Sequence, residues 1–280
     1  MSHMMIFGLG YTSGRLAERL RSMGWKVTGT RRCADGSAIA SDDEPTVAAA
    51  LYRATHILSS VPPVGSEDPV LSHYGAAIAA APAIWTGYLS STGVYGDTGG
   101  AWVDETAPIG SGRRSARSDA DLAWQALRDD VHVFRLPGIY GPGRSVLDRI
   151  QQGKAHRIDL PGQVFSRVHV EDIVSGVIAG LKGPAGVYNL ADDLPASQNA
   201  VIAHGCDLLG QPLPPLLSLQ EAGLSTAALG FYAENRRIAN GKAKRVLGWR
   251  PRFSTYKSGL ANLARSATTK PTIDNPTDRG

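Results

Sequence analysis

Short apolar runs and amphipathic stretches alternate along the first half of the chain. Met5 to Phe7 and Lys26 to Thr30 are predicted strands, and Thr12 to Met23 between them has apolar residues at helical spacing. The same pattern continues with predicted strands over 37–41, 55–60, 87–91 and 131–136 and predicted helices over 47–54, 70–80 and 115–128. Alternating strands and helices require crossover connections, so the sequence predicts an α/β protein with a Rossmann-type, doubly wound parallel sheet.

The pattern changes after Gly141-Pro142-Gly143, where shorter and more polar segments follow. We expect residues 4–145 and 165–191 to form the dinucleotide-binding core. Residues 146–164 and 192–267 are expected to form a smaller, C-terminal substrate-binding lobe over the carboxyl edge of the sheet. Residues 268–280 contain two prolines and few apolar residues, which predicts a disordered tail. Met1 to Met4 resemble a cloning remnant and are left out of the fold prediction.

Composition excludes several classes of protein. No apolar run approaches the roughly 20 residues that cross a bilayer, and the N-terminus leads directly into a strand, so we expect a cytoplasmic protein without a membrane partner. Cys33 and Cys206 lie far apart and are expected to be ordinary thiols. The seven histidines form no His-x-His or His-x-x-x-His pair, so no metal site is expected.

Arginine dominates the basic residues. The net charge is only +4, but the 29 basic residues comprise 22 arginines and 7 lysines. Guanidinium groups bind planar anions such as phosphate, although many of these arginines could simply lie on solvated faces. No basic run with interleaved aromatics occurs, so a small-molecule substrate is expected and nucleic acid is not.

A glycine-rich turn connects the first predicted strand to the first helix. In Gly8-Leu9-Gly10-Tyr11-Thr12-Ser13-Gly14, the first glycine permits a tight turn and the second lets the backbone approach a diphosphate at the helix N-terminus. Ser13 stands at the third glycine position, so either the helix start is shifted or Gly14 makes the close contact. The alternative is a plain glycine turn without a ligand.

The second strand ends in Thr28-Gly29-Thr30-Arg31-Arg32, where an NAD site usually carries an acid. Two guanidiniums and a threonine hydroxyl favour a ribose 2′-phosphate, so NADP (NADPH) is the expected cofactor and NAD is less favoured. The arginines could instead point to solvent. The predicted cofactor contacts are Gly8, Gly10, Tyr11, Thr12, Ser13, Gly14, Thr30, Arg31, Arg32, Ser60, Val61, Arg117 and Pro137.

Later motifs carry a family resemblance. They are Ser91-Thr92-Gly93-Val94-Tyr95-Gly96, Arg135-Leu136-Pro137-Gly138-Ile139-Tyr140-Gly141-Pro142-Gly143, Arg167-Val168-His169-Val170-Glu171-Asp172-Ile173, Tyr188-Asn189-Leu190-Ala191-Asp192-Asp193 and Leu247-Gly248-Trp249-Arg250-Pro251. With them the chain resembles the extended short-chain dehydrogenase/reductases, and more narrowly the atypical, NAD-dependent epimerase/dehydratase-like relatives of nucleoside-diphosphate-sugar epimerases. The resemblance covers nearly the full length and implies a possible homodimer through helices 70–80 and 115–128. Leu122, Ala123, Ala126 and Leu127 could form that interface or face the core.

The resemblance also implies a catalytic hydroxyl at Ser91, with Thr92 beside it, although Ser91 could merely complete the strand end. The family's Tyr-x-x-x-Lys pair is absent, because none of the nine tyrosines has a lysine four residues later. Aligned on the helix, Arg113 and Arg117 occupy the two positions. A guanidinium cannot act as an acid, but Arg117 could hold a ribose or phosphate.

Three side chains could replace the missing donor, each with a structural alternative: Tyr95, the leading candidate, then Tyr140 and His169. The sequence thus favours an NADP-dependent oxidoreductase or an epimerase/dehydratase acting on a small polar or nucleotide-sugar substrate. The alternative is a non-catalytic NADP(H)-sensing regulator, which the missing pair favours. A late basic cluster could bind a substrate diphosphate or lie in solvent; its members are Arg236, Arg237, Lys242, Lys244 and Arg245.

Overall fold

A computed structural model describes residues 1–110 and 115–268. The strands are β1 His3–Phe7, β2 Lys26–Arg31, β3 Ile39–Ala40, β4 His56–Ser59, β5 Trp85–Ser91, β6 Trp102–Val103, β7 Val131–Leu136, β8 Gly138–Tyr140, β9 Arg157–Ile158, β10 Arg167–His169, β11 Gly186–Asn189, β12 Leu216–Leu217 and β13 Arg237–Ile238. The helices are α1 Tyr11–Ser22, α2 Glu44–Arg53, α3 Pro69–Ala79, α4 Ser115–Leu127, α5 Val146–Gln151, α6 Val170–Gly180, α7 Gln198–Leu209, α8 Thr226–Tyr232, α9 Gly241–Val246 and α10 Tyr256–Thr268.

Seven of these strands form one parallel sheet in the order β11-β7-β5-β4-β1-β2-β3. The predicted Rossmann-type fold is therefore confirmed. The chain moves outward from β1 through β2 and β3, and then returns to place β4 on the other side of β1. Ligands of such sheets bind where the strand order reverses, beyond the carboxyl ends of the strands. Here that point lies between the ends of β1 and β4.

Helices cover both faces of the sheet, which explains why its central strands are apolar on both sides. Met4 and Ile6 of β1 pack into one hydrophobic cluster, while Met5 and Phe7 pack into the other. Successive side chains of a strand point to opposite faces, so the unbroken apolar run of β1 serves two cores at once. A third cluster joins α5, α7 and α10, and includes the buried Cys206.

His3 and Met4 belong to the fold, although Met1 to Met4 were left out of the fold prediction. β1 begins at His3, and Met4 is fully buried. The His3 ring lies 3.1 Å from the Arg53 carbonyl and 2.9 Å from the Thr28 hydroxyl. His3 and Met4 thus extend the buried strand by two residues at its N-terminal end.

Element boundaries differ locally from the prediction. The second helix begins at Glu44 and not at Val47, because the Asp43 carboxylate accepts a hydrogen bond from the Thr46 N–H and caps the helix. The segment around Arg167 forms β10, which pairs with β8 outside the central sheet. Thr268, assigned to the tail, ends α10; the rest of that predicted tail lies outside the described residues. The division into core and lobe remains a prediction.

The outer face of α4 is exposed. Ala120 and Trp124 face the core, whereas Leu122, Ala123 and Ala126 are exposed, so these three do not form a core face. The homodimer expected through this helix remains a prediction. Within the described ranges, no helix is long and apolar enough to cross a bilayer. The same residues contain no group of three His, Cys, Asp or Glu side chains placed to hold a metal ion.

Candidate active site

The turn after β1 requires glycine at its first position. Gly8 has a φ of +82°, and a Cβ there would lie 2.8 Å from Cγ2 of Val61. The Gly8 N–H donates to the hydroxyl of Thr30 at 3.1 Å. Thr30 is 1% exposed, so its hydroxyl secures the turn and does not face a ribose phosphate as predicted. Val61 likewise packs against the turn.

Ser13 is built into the turn by hydrogen bonds. Its buried hydroxyl donates to the Gly8 carbonyl at 2.6 Å and accepts from the Gly10 N–H at 2.9 Å. The Ser60 hydroxyl, at the end of β4, also donates to the Gly8 carbonyl at 2.6 Å. Gly14 has no atom within 4 Å of the place a Cβ would take, so the alternative in which Gly14 makes the close contact is wrong.

The same turn fits a dinucleotide diphosphate. A Cβ at Gly10 would point into open space, so the backbone is accessible to a ligand there. Tyr11 begins α1, and the first N–H groups of a helix have no carbonyl partners within it. Such groups attract an anion. The residues present therefore suit the cofactor that the family resemblance implies.

A cavity of about 690 Å³ extends from this turn to the lobe. Predicted residues that line it are Gly10, Tyr11, Thr12, Ser13, Ser60, Ser91, Thr92, Arg117 and Pro137. The structure therefore brings the glycine turn, the end of β5 and the start of α4 to one space. Gly8, Gly14, Thr30, Val61, Arg31 and Arg32 lie outside its lining.

The two arginines after β2 differ in their surroundings. Arg31 donates from Nε to the Leu9 carbonyl at 3.2 Å and forms an ion pair with Asp35. Arg32 is exposed beyond the end of the strand. Hydrogen bonds from Ser37 and the charge of Arg31 lower the pKa of Asp35 to about 2. A 2′-phosphate would therefore meet one exposed guanidinium and one already paired with a carboxylate.

Ser91 ends β5 with its hydroxyl at the cavity. Its Oγ accepts a hydrogen bond from the Gly93 N–H at 3.1 Å and caps the short 3₁₀ helix Thr92–Tyr95. The Ser91 hydroxyl therefore has the structural role at the strand end that the sequence analysis considered. Because Oγ is the acceptor in that bond, its own O–H is left to donate to a ligand.

Tyr95 does not line the cavity, so the leading prediction for the proton donor is wrong. The side chain is 2% exposed, and its hydroxyl donates to Asn189 at 2.8 Å and accepts from Arg135 at 3.0 Å. Burial raises the pKa of this phenol above its usual range. The 3₁₀ turn directs Tyr95 into a buried polar network beneath the strand end.

Tyr140 and His169 are also unsuited to the role. The buried Tyr140 hydroxyl packs against Gly259, and burial raises its pKa far above the usual range. His169 caps α6 by accepting the Glu171 N–H at Nδ1, and burial lowers its pKa to about 4, which keeps the ring neutral at pH 7. Neither lines the 690 Å³ cavity. Arg113, at the family's tyrosine position, lies outside the described residues.

Several lining residues were missed by sequence reasoning. They come from separate segments of the chain and are Arg144, Arg149, Phe165, Arg167, Leu224, Phe231, Tyr232 and Glu234. The late basic cluster contributes only Arg236, since Arg237 bonds the Gly100 carbonyl and Lys244 pairs with Asp193. The cluster is therefore not a single diphosphate-binding surface. Arg167 stands in one of the motifs that carry the family resemblance, and the sequence offered no other signal for it.

Asp192 carries a buried carboxyl group next to this region. It is 2% exposed, and within the described chain Oδ2 has no hydrogen-bond partner while Oδ1 accepts the Leu194 N–H at 3.1 Å. Burial raises its pKa to about 7. A raised carboxyl pKa stabilises the fold below the unfolded-state pKa, and this contribution is lost as pH rises through the folded-state value.

As pH rises from 5 to 8, we therefore expect the unfolding free energy of the unmodified protein to fall by about 2 kcal/mol relative to that of D192N, whose side chain does not titrate. Urea denaturation across this range measures the difference. D193N is the matched control, because the neighbouring Asp193 carboxylate is accessible and pairs with Lys244. Parallel stability curves for D192N and the unmodified protein would contradict the expectation.

The sheet and the glycine turn define a Rossmann-type fold, which solved structures of a UDP-glucose 4-epimerase and a dTDP-glucose 4,6-dehydratase share. MoeE5 in complex with UDP-glucose and NAD superimposes with a TM-score of 0.75 at 18% identity, covering 95% of this chain and 99% of the other. The human epimerase family protein SDR39U1 with NADPH gives 0.75 at 17% identity, covering 94% and 99%. At such identities the likeness concerns the fold.

The chain belongs to one family with a functionally unknown conserved protein from Silicibacter pomeroyi. The two are 41% identical, with a TM-score of 0.87 over 95% of this chain and 99% of the other. Protein YeeZ from Escherichia coli K12 is 28% identical over 284 residues, 86% of this chain and 94% of YeeZ. A 3-diazoavenalumate denitrifying reductase from a Streptomyces species is 28% identical over 178 residues, only 58% of its length and 56% of this chain. No protein-family model matches the chain.

Proposed function

We propose that the protein is an NADP(H)-dependent reductase of a small polar substrate. One observation carries the proposal: a single cavity joins the dinucleotide turn to the Ser91 hydroxyl, the Arg117 side chain and a lobe. When bound there, the cofactor's nicotinamide would supply a hydride. The reductase among the relatives and the NADPH of SDR39U1 support this choice.

In this proposal, Ser91 and Arg117 replace the family's tyrosine and lysine by polarising the substrate. The Ser91 O–H donates to the substrate oxygen, and the Arg117 charge stabilises the negative charge that develops on it. A guanidinium keeps its charge and does not abstract a proton. Hydride transfer to a carbonyl would leave an alkoxide, which would take its proton from the Ser91 O–H while solvent water returns a proton to Ser91. The reduction would thus consume one hydride from the cofactor and one proton from solvent.

A second candidate is a non-catalytic NADP(H) sensor. The observation that favours it is the position of Tyr95, Tyr140 and His169 outside the cavity. Turnover separates the candidates: a sensor would bind cofactor but reduce none of a broad panel of carbonyl and related electrophiles.

The cofactor preference is tested by titration with NADPH and NADH, following nicotinamide fluorescence. We expect NADPH to bind at least about tenfold more tightly, and R32S to remove about tenfold of its affinity without affecting NADH. R19S, on the exposed end of α1, is the control. R31S should have a smaller effect because Asp35 already pairs with Arg31.

Two results would overturn parts of the proposal. Equal affinities for NADPH and NADH, unchanged in R32S, would exclude recognition of the 2′-phosphate. If neither nucleotide binds, the glycine turn is only structural, and both the reductase and the sensor are excluded.

A further inference from the structure

Arg167 is a buried cation whose direct partners are all neutral. Its side chain donates to the carbonyl oxygens of Phe165 at 2.8 Å and Ala196 at 2.9 Å, and to Oε1 of Gln198 at 3.0 Å. Arg167 is 9% exposed, and within the described ranges no carboxylate lies within 4 Å of its guanidinium. Burying a charge without a counterion is costly, so the site is suited to an anion brought by a ligand.

Asp192 does not supply the counterion that Arg167 lacks. Its charge acts on Arg167 from beyond ion-pair distance, and burial favours the neutral form of its carboxyl group. Three hydrogen bonds occupy three of the five N–H donors of the Arg167 guanidinium. Two donors remain, which is the number that a carboxylate accepts in a bidentate pair.

Arg144 and Arg149 line the same wall. Both are exposed, and together with Arg167 they lie on the main cavity and on an adjoining cavity of about 390 Å³. The Arg144 guanidinium lies over the ring of Tyr11, and Arg149 donates to the Lys154 carbonyl at 3.1 Å. Within the described ranges, neither forms an ion pair. By contrast, the acidic Glu234 of this cavity pairs with Arg236 at 2.8 Å.

Aromatic and apolar side chains adjoin these cations. Phe165 and Tyr232 meet edge to face, with ring centroids 5.6 Å apart. Leu224 and Phe231 line the same cavity, and Phe231 is 54% exposed. A ligand that is complementary to this part of the cavity needs an anionic group next to a planar or apolar body. The cavity must also accept part of the dinucleotide, which favours a compact ligand over a second nucleotide.

We propose that the cavity beside Arg167 binds a small aromatic carboxylate, with its carboxylate at Arg167 and Arg149 and its ring against Phe165 and Tyr232. This assignment deepens the proposed reductase function and rests on it, because it names the substrate class of that same cavity. With the ring in this position, a reducible group on the far side of the ligand from its carboxylate would point toward Ser91, which lines the same cavity.

Calorimetric binding to NADP⁺-saturated protein tests the assignment without requiring turnover. The probes are cinnamate, its neutral isostere cinnamamide, phenyl phosphate and UDP-glucose. We expect cinnamate to bind at least about tenfold more tightly than the other three, since the charged pair and the ring pocket act together. Cinnamamide binding equal to cinnamate would exclude the anion site. Tighter binding of phenyl phosphate or UDP-glucose would exclude the carboxylate class.

Variants at Arg149 and at the nearby Lys154 locate the binding. R149Q should weaken cinnamate about tenfold and leave cinnamamide unchanged, whereas K154Q, at an exposed neighbouring lysine, should change neither. Arg167 ties two segments together, so R149Q avoids the risk that R167Q does not fold. Unchanged cinnamate affinity in R149Q would remove that residue's assigned role and overturn the proposed carboxylate position.

The same titrations on the cofactor-free protein separate the two proposals. If NADP⁺ binds and cinnamate does not, the substrate class is wrong while the reductase proposal stands. If cinnamate binds with the R149Q dependence but NADP⁺ does not, the anion site stands and the reductase proposal fails.

Discussion

Replacing Asp121 with alanine is expected to lower the free energy of unfolding by about 3–5 kcal/mol. The Asp121 carboxylate is fully buried and accepts hydrogen bonds from Arg135 at 2.7 and 3.1 Å, from Ser90 at 2.5 Å and from Gln125 at 2.7 Å. Arg135 is 3% exposed. Without Asp121, a buried guanidinium would lose its counterion, and two other donors, the Ser90 hydroxyl and the Gln125 amide, would lose this acceptor. Urea denaturation measures the loss.

Asp119 on the exposed side of the same helix provides the control, and D119A should change stability by less than about 0.5 kcal/mol. The double variant D121L/R135M removes both charges and should recover part of the loss, because the cost arises from the unpaired partner. A D121A protein as stable as the D119A protein would contradict the proposed importance of this buried pair.

The second large effect is expected in catalysis. If the reductase proposal is correct, R117Q should lower kcat about 10²- to 10³-fold, since it removes the charge that stabilises the developing oxyanion. R117K, which keeps a positive charge, should recover part of the rate. S91A should also lower kcat, because it removes the donor to the substrate oxygen.

These rates are measured with the fastest substrate found in the carbonyl panel, together with NADPH affinity for each variant. Loss of kcat with NADPH affinity retained supports a role at the substrate oxygen. If R117Q instead loses NADPH affinity and keeps its kcat at saturation, Arg117 holds the ribose and does not polarise the substrate. Unchanged rates in both R117Q and S91A would contradict the catalytic reading of this strand end.

Much of the core was predictable because its signals are local. The apolar runs of β1 and β4 and the glycine at position 8 each report a backbone requirement within a few residues. The cavity location follows from the same pattern, because parallel strands place their carboxyl ends at one edge. The class of fold therefore required no long-range information.

The direction of individual side chains was not predictable in the same way. Tyr95 lies in the motif that suggested a catalytic tyrosine, but Arg135 and Asn189 from two other strands hold its hydroxyl in the interior. Ser13 was ambiguous because its partners Gly8 and Ser60 meet only at the reversal of strand order. Such contacts join distant parts of the chain, so motif spacing does not reveal them.

The arginine-lined part of the cavity was the least predictable part of the site. Arg144, Arg149 and Arg167 are separated in sequence and belong to different segments, so no basic run identifies them. The late basic cluster predicted from the sequence instead contributes only Arg236 to the cavity, while Arg237 and Lys244 contact other partners. Charge that converges only in the folded chain is not visible as a cluster in the sequence.

Three hydrogen bonds join the glycine turn to the end of β2. Besides the bond from the Gly8 N–H to the Thr30 hydroxyl, the Leu9 N–H donates to the Thr30 carbonyl at 2.8 Å and Arg31 donates back to the Leu9 carbonyl. The diphosphate and adenosine parts of a dinucleotide would thus contact two segments, the glycine turn and the end of β2, that these hydrogen bonds hold together. Because these two segments are already ordered, cofactor binding would cost little conformational entropy of the protein. Contacts to the ribose phosphate would therefore contribute almost fully to the binding free energy.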